Sequence, residues 1–155
     1  MEKARMKTAS VLLFLLASAM LCLAASDDIE GVWYNQVKDA KIDIVKCGDK
    51  YCGKIVWLQE ANYPSGSKDG TPGTPKLDHN NPDPALRKVP VMELQIVWDF
   101  QFVGDNLWKN GKVYDPKNGK TYSAKITMVS PKQLNLRGFV GVSMFGRTET
   151  WTKAD

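Results

Sequence analysis

"TYSAKITMVSPKQLNLRGFV", residues 121–140, holds two segments in which polar and apolar side chains alternate, separated by a short turn. From Tyr122 to Met128 every second residue is apolar, and the residues between them are polar. A period of two is typical of β-strands that bury one face. The Ser-Pro-Lys sequence at 130–132 contains residues that favour a tight turn. The stretch therefore predicts two antiparallel strands joined as a hairpin.

The same pattern of strands and turns continues through most of the chain after residue 28. Short connections at 104–105 and 115–119 are rich in Gly, Pro, Asn and Asp, and such links join sequential strands in antiparallel pairs. These strands either stack as a sandwich or close into a barrel, and closure leaves no exposed edge. We therefore predict an all-β fold, an eight-stranded antiparallel up-and-down barrel. The predicted strands are 32–36, 40–47, 51–58, 94–103, 106–114, 121–129, 133–140 and 143–153.

One connection, residues 60–90, is rich in Pro, Gly and Asn and is long for a compact domain. Connections of this length are usually lids, binding loops or mobile segments. We interpret it as a lid across one mouth of the barrel; a surface excursion without a role is the alternative. Within it, "NPDPALRK" at 81–88 predicts one helical turn with Asn81 or Asp83 as its cap.

The first 25 residues have the pattern of an export signal. Three basic residues precede an apolar run at 11–16, and small residues follow near position 25. A membrane anchor is the alternative, but the run is far shorter than the roughly 20 residues that span a bilayer. We expect cleavage to leave one domain, residues 26–155, in the periplasm or secreted, without stable membrane insertion.

The charge of the expected mature chain argues against nucleic-acid partners. Removing residues 1–25 takes away three of 21 bases and one of 17 acids, which leaves 18 against 16, a net charge of +2. This balance is mild, and no basic run interleaves with aromatic residues on one face. We expect a mixed, solvated surface.

Cys47 and Cys52 are the two cysteines that remain beyond the signal segment. They bracket a four-residue turn, and facing positions of an antiparallel hairpin lie close enough for a disulfide. An exported compartment permits the bridge, so we predict it; two buried thiols are the alternative. Two sulfurs without neighbouring histidines fall short of the four ligands of a zinc site, and no metal is predicted.

Catalysis is not predicted from the residues. His79 is the only histidine of the chain and lies in the long connection, where a solvated side chain is expected. A catalytic triad needs a histidine held against a nucleophile. Paired carboxylates from Asp99, Glu149 or Asp115 remain possible in space, although nothing in their spacing favours them. We predict no cofactor.

The chain is rich in aromatic residues for one small barrel. The simple interpretation is that all of them fill the core. The sharper one is that a subset lines a cavity for an apolar ligand at a barrel mouth. An arginine beside that cavity would suit a carboxylate or phosphate head group, because its planar guanidinium binds such anions. The predicted ligand-binding residues are Trp98, Phe100, Tyr114, Tyr122 and Arg137.

The "GVW" sequence at 31–33 resembles the Gly-x-Trp signature with which lipocalins and related calycin barrels begin. In that superfamily the tryptophan packs under an arginine from late in the chain. The resemblance implies a clamp between Trp33 and Arg147 or Arg137. We favour Arg147 as the clamp and Arg137 as the freer side chain. A guanidinium stacked on the indole would stabilise the barrel end.

A longer set of motifs resembles the bacterial domain-of-unknown-function family DUF2147. These motifs run in order from "GVWYN" and "CGDKYCGKIVWL" through "NNPDPALR" and "GKVYDPKNGKTYSAK" to "LRGFVGVSMFGRTETWTK". The resemblance implies a lipocalin-like barrel exported across the inner membrane, with no established activity to transfer. One departure concerns the entry to the fourth strand, where Met92–Glu93 stands at a place for which the family pattern leads us to expect glycine.

These observations favour an exported barrel that binds a small hydrophobic or amphipathic ligand in the cell envelope. The alternative is an envelope interaction or structural module with a solid core, for which a large exposed apolar patch would argue. An enzyme ranks third because the usual acid, base and nucleophile groupings are missing from the sequence.

Overall fold

The computed structural model describes residues 29–155, so the predicted export signal lies outside the described residues. Eight antiparallel strands follow one another around a closed barrel, which confirms the predicted fold. The strands are β1 (Gly31–Tyr34), β2 (Ala40–Cys47), β3 (Lys50–Leu58), β4 (Gln95–Phe102), β5 (Leu107–Asp115), β6 (Lys120–Ser130), β7 (Gln133–Phe139) and β8 (Arg147–Lys153).

Closure of the barrel depends on a short pairing between its first and last strands. Trp33 lies opposite Lys153 and Tyr34 lies opposite Thr152, while every other pair of neighbouring strands is adjacent in sequence. The up-and-down order places the connections at two ends. The upper end carries loops 35–39, 59–94, 116–119 and 140–146, and the lower end carries turns 48–49, 103–106 and 131–132 with residues 29–30 and 154–155.

The predicted start of the eighth strand is wrong. Ser143–Phe145 forms a 3-10 turn, and β8 begins only at Arg147. Although residues 140–145 are mostly apolar, Gly141 adopts a φ of +73°, a left-handed conformation that interrupts the pleat. The result is a protruding loop instead of a longer hairpin.

Side chains fill the lower and middle parts of the lumen. Trp33, Phe100 and Trp108 are fully buried, and the ring of Tyr51 meets Trp108 edge-on with centroids 6.2 Å apart. Gly111 lies so close to Phe100 that a Cβ atom there would collide with the ring. Burial of one large apolar side chain stabilises the fold by about 1.5–3 kcal/mol. The barrel is therefore supported from within by its own aromatic residues.

The predicted disulfide between Cys47 and Cys52 is confirmed. The two Cα atoms are 5.9 Å apart across the β2–β3 hairpin, an ordinary separation for a disulfide. Gly48 supplies the positive φ, +69°, that the tight turn requires. The bridge fixes the lower end of this hairpin.

The loop 59–94 has structure of its own. Isolated bridges pair Asn62 with Pro75 and Leu77 with Pro90. The predicted helical turn is confirmed as a 3-10 turn over Pro84–Leu86, in which the Asp83 carboxylate accepts a hydrogen bond from the Ala85 backbone N–H at 2.9 Å. Within residues 29–155, no helix has the length and apolar character needed to cross a bilayer.

Candidate functional site

A buried carboxylate, Asp78, organises the loop 59–94. Its side chain has no solvent exposure and accepts hydrogen bonds from the Tyr114 hydroxyl and the Asn81 amide, each at 2.7 Å. Arg87 donates its Nε–H to the backbone carbonyl of Asn81 at 2.7 Å. Burial, reinforced by the neighbouring Asp78 carboxylate, raises the pKa of the Tyr114 hydroxyl far above its ordinary value. The cluster is a fully bonded polar link between loop and barrel.

A second link joins the same loop to the β5–β6 turn. The Asn80 amide donates to the backbone carbonyls of Pro116 and Lys117 at 3.2 and 3.0 Å. Gly119 has a φ of +69°, and a Cβ atom there would collide with the Asn80 carbonyl. The loop is thus tied down at the upper end of the barrel. His79, beside these anchors, is exposed as expected.

The lower end is closed by a tryptophan–cation contact, but the cation is not the predicted one. Lys153 Nζ lies 4.6 Å from the centroid of the Trp33 ring and donates to the Glu30 carbonyl. The Trp33 indole N–H donates to the Ile29 carbonyl at 2.9 Å. Arg147, at the other end of β8, is six residues or roughly 20 Å from this site. The predicted Trp33–Arg147 clamp is therefore wrong because β8 pairs with β1 only at its last residues.

The backbone conformation at position 31 explains why the Gly-x-Trp sequence begins with glycine. Its φ is +117°, a region open mainly to glycine. A Cβ atom would also stand 2.8 Å from Lys153 Nζ. The missing side chain leaves room for the lysine to lie over Trp33.

The predicted ligand-binding residues do not line one cavity. Phe100 is fully buried in the core, and Trp98 is partly buried and packs against that core. The Tyr114 hydroxyl donates a hydrogen bond to the Asp78 carboxylate. Strand alternation places it on the opposite face from Val113, which faces the lumen beside Tyr122. Tyr122 is the one member of the set whose ring lies at the upper lumen.

Two charged side chains share the upper lumen with Tyr122. Alternation from the buried Trp151 directs Glu149 and Arg147 to the inner face, and the Trp151 indole N–H donates to Glu149 Oε2 at 3.3 Å. Arg147 is exposed, and no hydrogen bond or ion pair is found for it among residues 29–155. An exposed guanidinium at the mouth is available to an anion.

Arg137 faces outward and not into the lumen, contrary to the prediction. It alternates with the buried Leu136 and lies opposite Thr148, whose hydroxyl accepts from its Nη1 at 2.9 Å. Its Nε and Nη2 groups donate to the carbonyls of Ser143 and Met144 at 2.7 and 3.0 Å. The arginine therefore fixes the backbone of the loop 140–146.

That loop presents the upper tip, which we define as Val140, Val142, Met144 and Phe145. Met144 is 79% exposed and Phe145 is 81% exposed, the largest values among the exposed large apolar side chains of residues 29–155. Exposed apolar residues normally occur singly, so four in one short loop mark a contact site. Because Arg137 bonds only backbone carbonyls and Thr148, it leaves the tip side chains free to project.

A groove lies directly beside the upper tip on the outer wall of β5, β6 and β7. Its volume is about 410 Å³. Ser143, the first residue of the 3-10 turn, lines the groove and makes it continuous with the tip. The full lining is Lys109, Asn110, Gly111, Lys112, Ser123, Ala124, Lys125, Phe139 and Ser143.

The described residues offer little for catalysis or metal binding. Among residues 29–155, no three His, Cys, Asp or Glu side chains are grouped as metal ligands. The three carboxylates considered as paired acids each have a different partner: Asp99 bonds Lys50, Asp115 accepts from Lys117 N–H, and Glu149 accepts from Trp151.

Comparison with known proteins places this barrel in a family. Residues 31–153 match the model of the family described as "Uncharacterized protein conserved in bacteria (DUF2147)". The chain belongs to this family. Among solved structures, this chain is similar to protein HP1028 from Helicobacter pylori, which is described as belonging to the lipocalin family. The two share 22% identity with a TM-score of 0.67, over 83% of this chain and 84% of that chain.

The comparisons confirm the family resemblance and the lipocalin-like fold. At 22% identity, the likeness to the Helicobacter pylori protein shows the fold alone. No curated protein matches the chain significantly. The chemistry of the site therefore rests on this chain's own residues.

Sequence reasoning missed three functional features. Asp78 sits among polar loop residues, and only its partner Tyr114, distant in sequence, reveals that it is buried. The resemblance to lipocalins implies an arginine over Trp33, so it does not predict Lys153 in that place. Met144 and Phe145 of the upper tip fall within the predicted eighth strand, although Gly141 and Gly146 on either side of them were the available signal for a loop.

Proposed function

We propose that the protein is an exported binding protein of the cell envelope that contacts its partner on the outer surface of its upper end. One observation carries this proposal. Buried aromatic rings fill the lower and middle lumen, whereas the upper tip exposes four apolar side chains. A filled barrel is a rigid support, and an exposed apolar patch is a contact surface. The predicted envelope location is part of the proposal, and no catalytic role is assigned.

The filled core argues against a ligand held deep in the lumen. The largest rings, Trp33, Phe100 and Trp108, occupy the space that a lipocalin of the carrier type would leave for cargo. The arrangement favours the solid-core alternative over the carrier that the sequence favoured.

Native mass spectrometry of the purified mature protein, before and after organic extraction, tests this function. We expect the same apo mass in both samples and no uptake of fatty acids. The Phe100→Ala variant is the positive control, because an apolar cavity of this kind binds small apolar molecules such as benzene. A discrete extra mass that disappears on extraction would overturn the filled-barrel proposal.

A second candidate function is the binding of a small amphipathic anion at the upper mouth. It is favoured by Arg147, which is exposed and unbonded beside Tyr122 and Glu149. An acidic head group would meet the guanidinium while the apolar part lies against the tyrosine ring. An extractable ligand that is retained by wild type and lost from Arg147→Ala would establish this candidate in place of the first.

A further inference from the structure

We propose that the upper tip and the adjoining groove form a docking surface for an anionic phospholipid bilayer. The proposal rests on the proposed function and names the partner of the same surface. The tip would enter the interface with its apolar side chains, while the groove lysines would lie against lipid phosphates.

The first argument is charge complementarity. Lys109, Lys112 and Lys125 line the groove, and no acidic residue shares its lining. Five other lysines of residues 29–155 form ion pairs with carboxylates, but none is found for these three. Three unneutralised ammonium groups on one wall attract a surface of negative charge, and each contributes to binding at an anionic leaflet.

The second argument is the shape of the apolar part. Met144 and Phe145 occupy a 3-10 turn at the end of a hairpin loop, with about four fifths of each side chain exposed. A protruding loop of this kind can enter the fluid boundary between head groups and acyl chains. A protein partner would need a pocket shaped to the loop, whereas a bilayer accepts the projection without one.

The third argument is that the loop is held in place before it binds. Arg137 donates to the carbonyls of Ser143 and Met144, and Gly146 N–H donates to the Ser143 carbonyl at 3.2 Å. Ordering a loop on binding normally opposes association. Because the backbone is already fixed, little of that opposing entropy remains, and the apolar side chains meet the bilayer together with the lysines.

Vesicle co-sedimentation of the mature protein tests the proposal. The vesicles are phosphatidylcholine alone and an equimolar mixture of phosphatidylcholine and phosphatidylglycerol. We expect binding to the mixture that weakens as salt rises, and weak binding to the neutral vesicles. The Met144→Ser/Phe145→Ser variant should lose at least about tenfold in affinity, since it removes the inserted side chains. Lys125→Gln should lose about fivefold, the effect of one lysine near an anionic surface.

Matched control variants make the outcome specific. Val129→Ser and Lys132→Gln remove an exposed apolar side chain and an exposed charge at or near the lower end, and both should bind as wild type. Circular dichroism verifies that every variant is folded. Absent binding, equal binding to both vesicles, or tip variants that bind like wild type would each overturn the bilayer proposal.

A parallel experiment separates this inference from the function beneath it. A photo-crosslinking residue at position 144 in cells would report a protein adduct if the partner is a protein, which overturns the bilayer assignment and leaves the outer contact surface standing. An extractable lumen ligand in native mass spectrometry would instead remove the proposed function itself. Crosslinking to lipid, together with anionic vesicle binding, supports the proposal.

Discussion

Backbone strain at a single residue marks the entry to the fourth strand. Glu93 has a φ of +67°, in the left-handed region that glycine occupies without cost. The resemblance to DUF2147 leads us to expect glycine near this position, and the backbone now supplies the physical reason. The Glu93 carboxylate forms an exposed ion pair with Lys54. An exposed ion pair stabilises a fold only slightly, so it offsets a small part of the conformational cost of the left-handed backbone.

Replacing Glu93 tests this account. Glu93→Gly should be more stable than Glu93→Ala by about 1 kcal/mol, because both variants lose the Lys54 contact and only glycine relieves the left-handed strain. Urea unfolding followed by tryptophan fluorescence measures the difference. Equal midpoints for the two variants would show that the strain is absent in solution.

The Tyr114–Asp78 hydrogen bond is the second feature that acts at the scale of one residue. Tyr114→Phe removes the donor to a fully buried carboxylate, so we expect a loss of about 1–3 kcal/mol in the free energy of unfolding. Tyr122→Phe is the matched control. Its hydroxyl meets only the exposed Asn118 amide at 3.2 Å, and the change should cost much less. Chemical denaturation of both variants checks the ranking, and equal losses would contradict it.

The same bond gives the protein a pH dependence at alkaline pH. A tyrosine of the unfolded chain titrates near pH 10, whereas burial and Asp78 raise the pKa of Tyr114 in the fold. The unfolded state therefore loses its proton first, and the stability contributed by Tyr114 is complete below about pH 10 and falls as the pH rises towards the folded pKa. Denaturation midpoints across this range should fall less steeply in Tyr114→Phe than in Tyr122→Phe.

At the scale of elements, the short β1–β8 pairing makes the Lys153 contact important. Lys153→Ala should lower the free energy of unfolding by about 1 kcal/mol through loss of the cation–π contact with Trp33, which is a few degrees in melting temperature. Arg147→Ala should leave the melting temperature unchanged, because Arg147 is exposed and unbonded. Thermal melts of the two variants side by side decide between the clamps.

The contrast between these two side chains shows how far the sequence could be used. Alternation and turn residues predicted all eight strands, because a period of two and a tight turn are local properties. The partner of Trp33 is set by the register between the first and last strands, and no local pattern contains that register. The prediction that residues 143–146 belong to a strand is wrong for a related reason. Gly141 adopts a left-handed conformation, which the spacing of apolar residues does not indicate.

The candidate site was less predictable than the fold. The sequence predicts Phe100 and Arg137 in one ligand cavity, but Phe100 lies in the core and Arg137 lies on the outer wall. Whether an aromatic ring in a barrel fills the lumen or lines it depends on how the facing strands pack. Gly111 makes room for the Phe100 ring, and this pairing depends on the contact between β4 and β5, which no local sequence pattern reports.

At the scale of the whole molecule, the two ends of the barrel have different roles. The lower end is closed by Trp33, Lys153 and the disulfide hairpin, and the middle is packed with aromatic rings. The upper end carries both the loop 59–94 and the upper tip. These two differ in how they are attached: the loop is bonded to the barrel through buried groups, whereas the tip projects. A rigid body with one projecting loop is what the proposed docking surface requires.

Hydrogen exchange should report this difference directly. The amides of Asp78 and Val91 donate to carbonyls within the loop 59–94, each at 2.9 Å, and the loop is coupled to β5 through Tyr114. We therefore expect these amides to exchange slowly, nearly as slowly as those of the central strands, while the amides of residues 140–142 exchange fast. In Tyr114→Phe, exchange at 78 and 91 should accelerate about tenfold or more relative to β6, because the loop can then open without unfolding the barrel. If the amides of Asp78 and Val91 already exchange as fast as the tip in wild type, the loop is independent of the barrel, and Asp78 does not couple them.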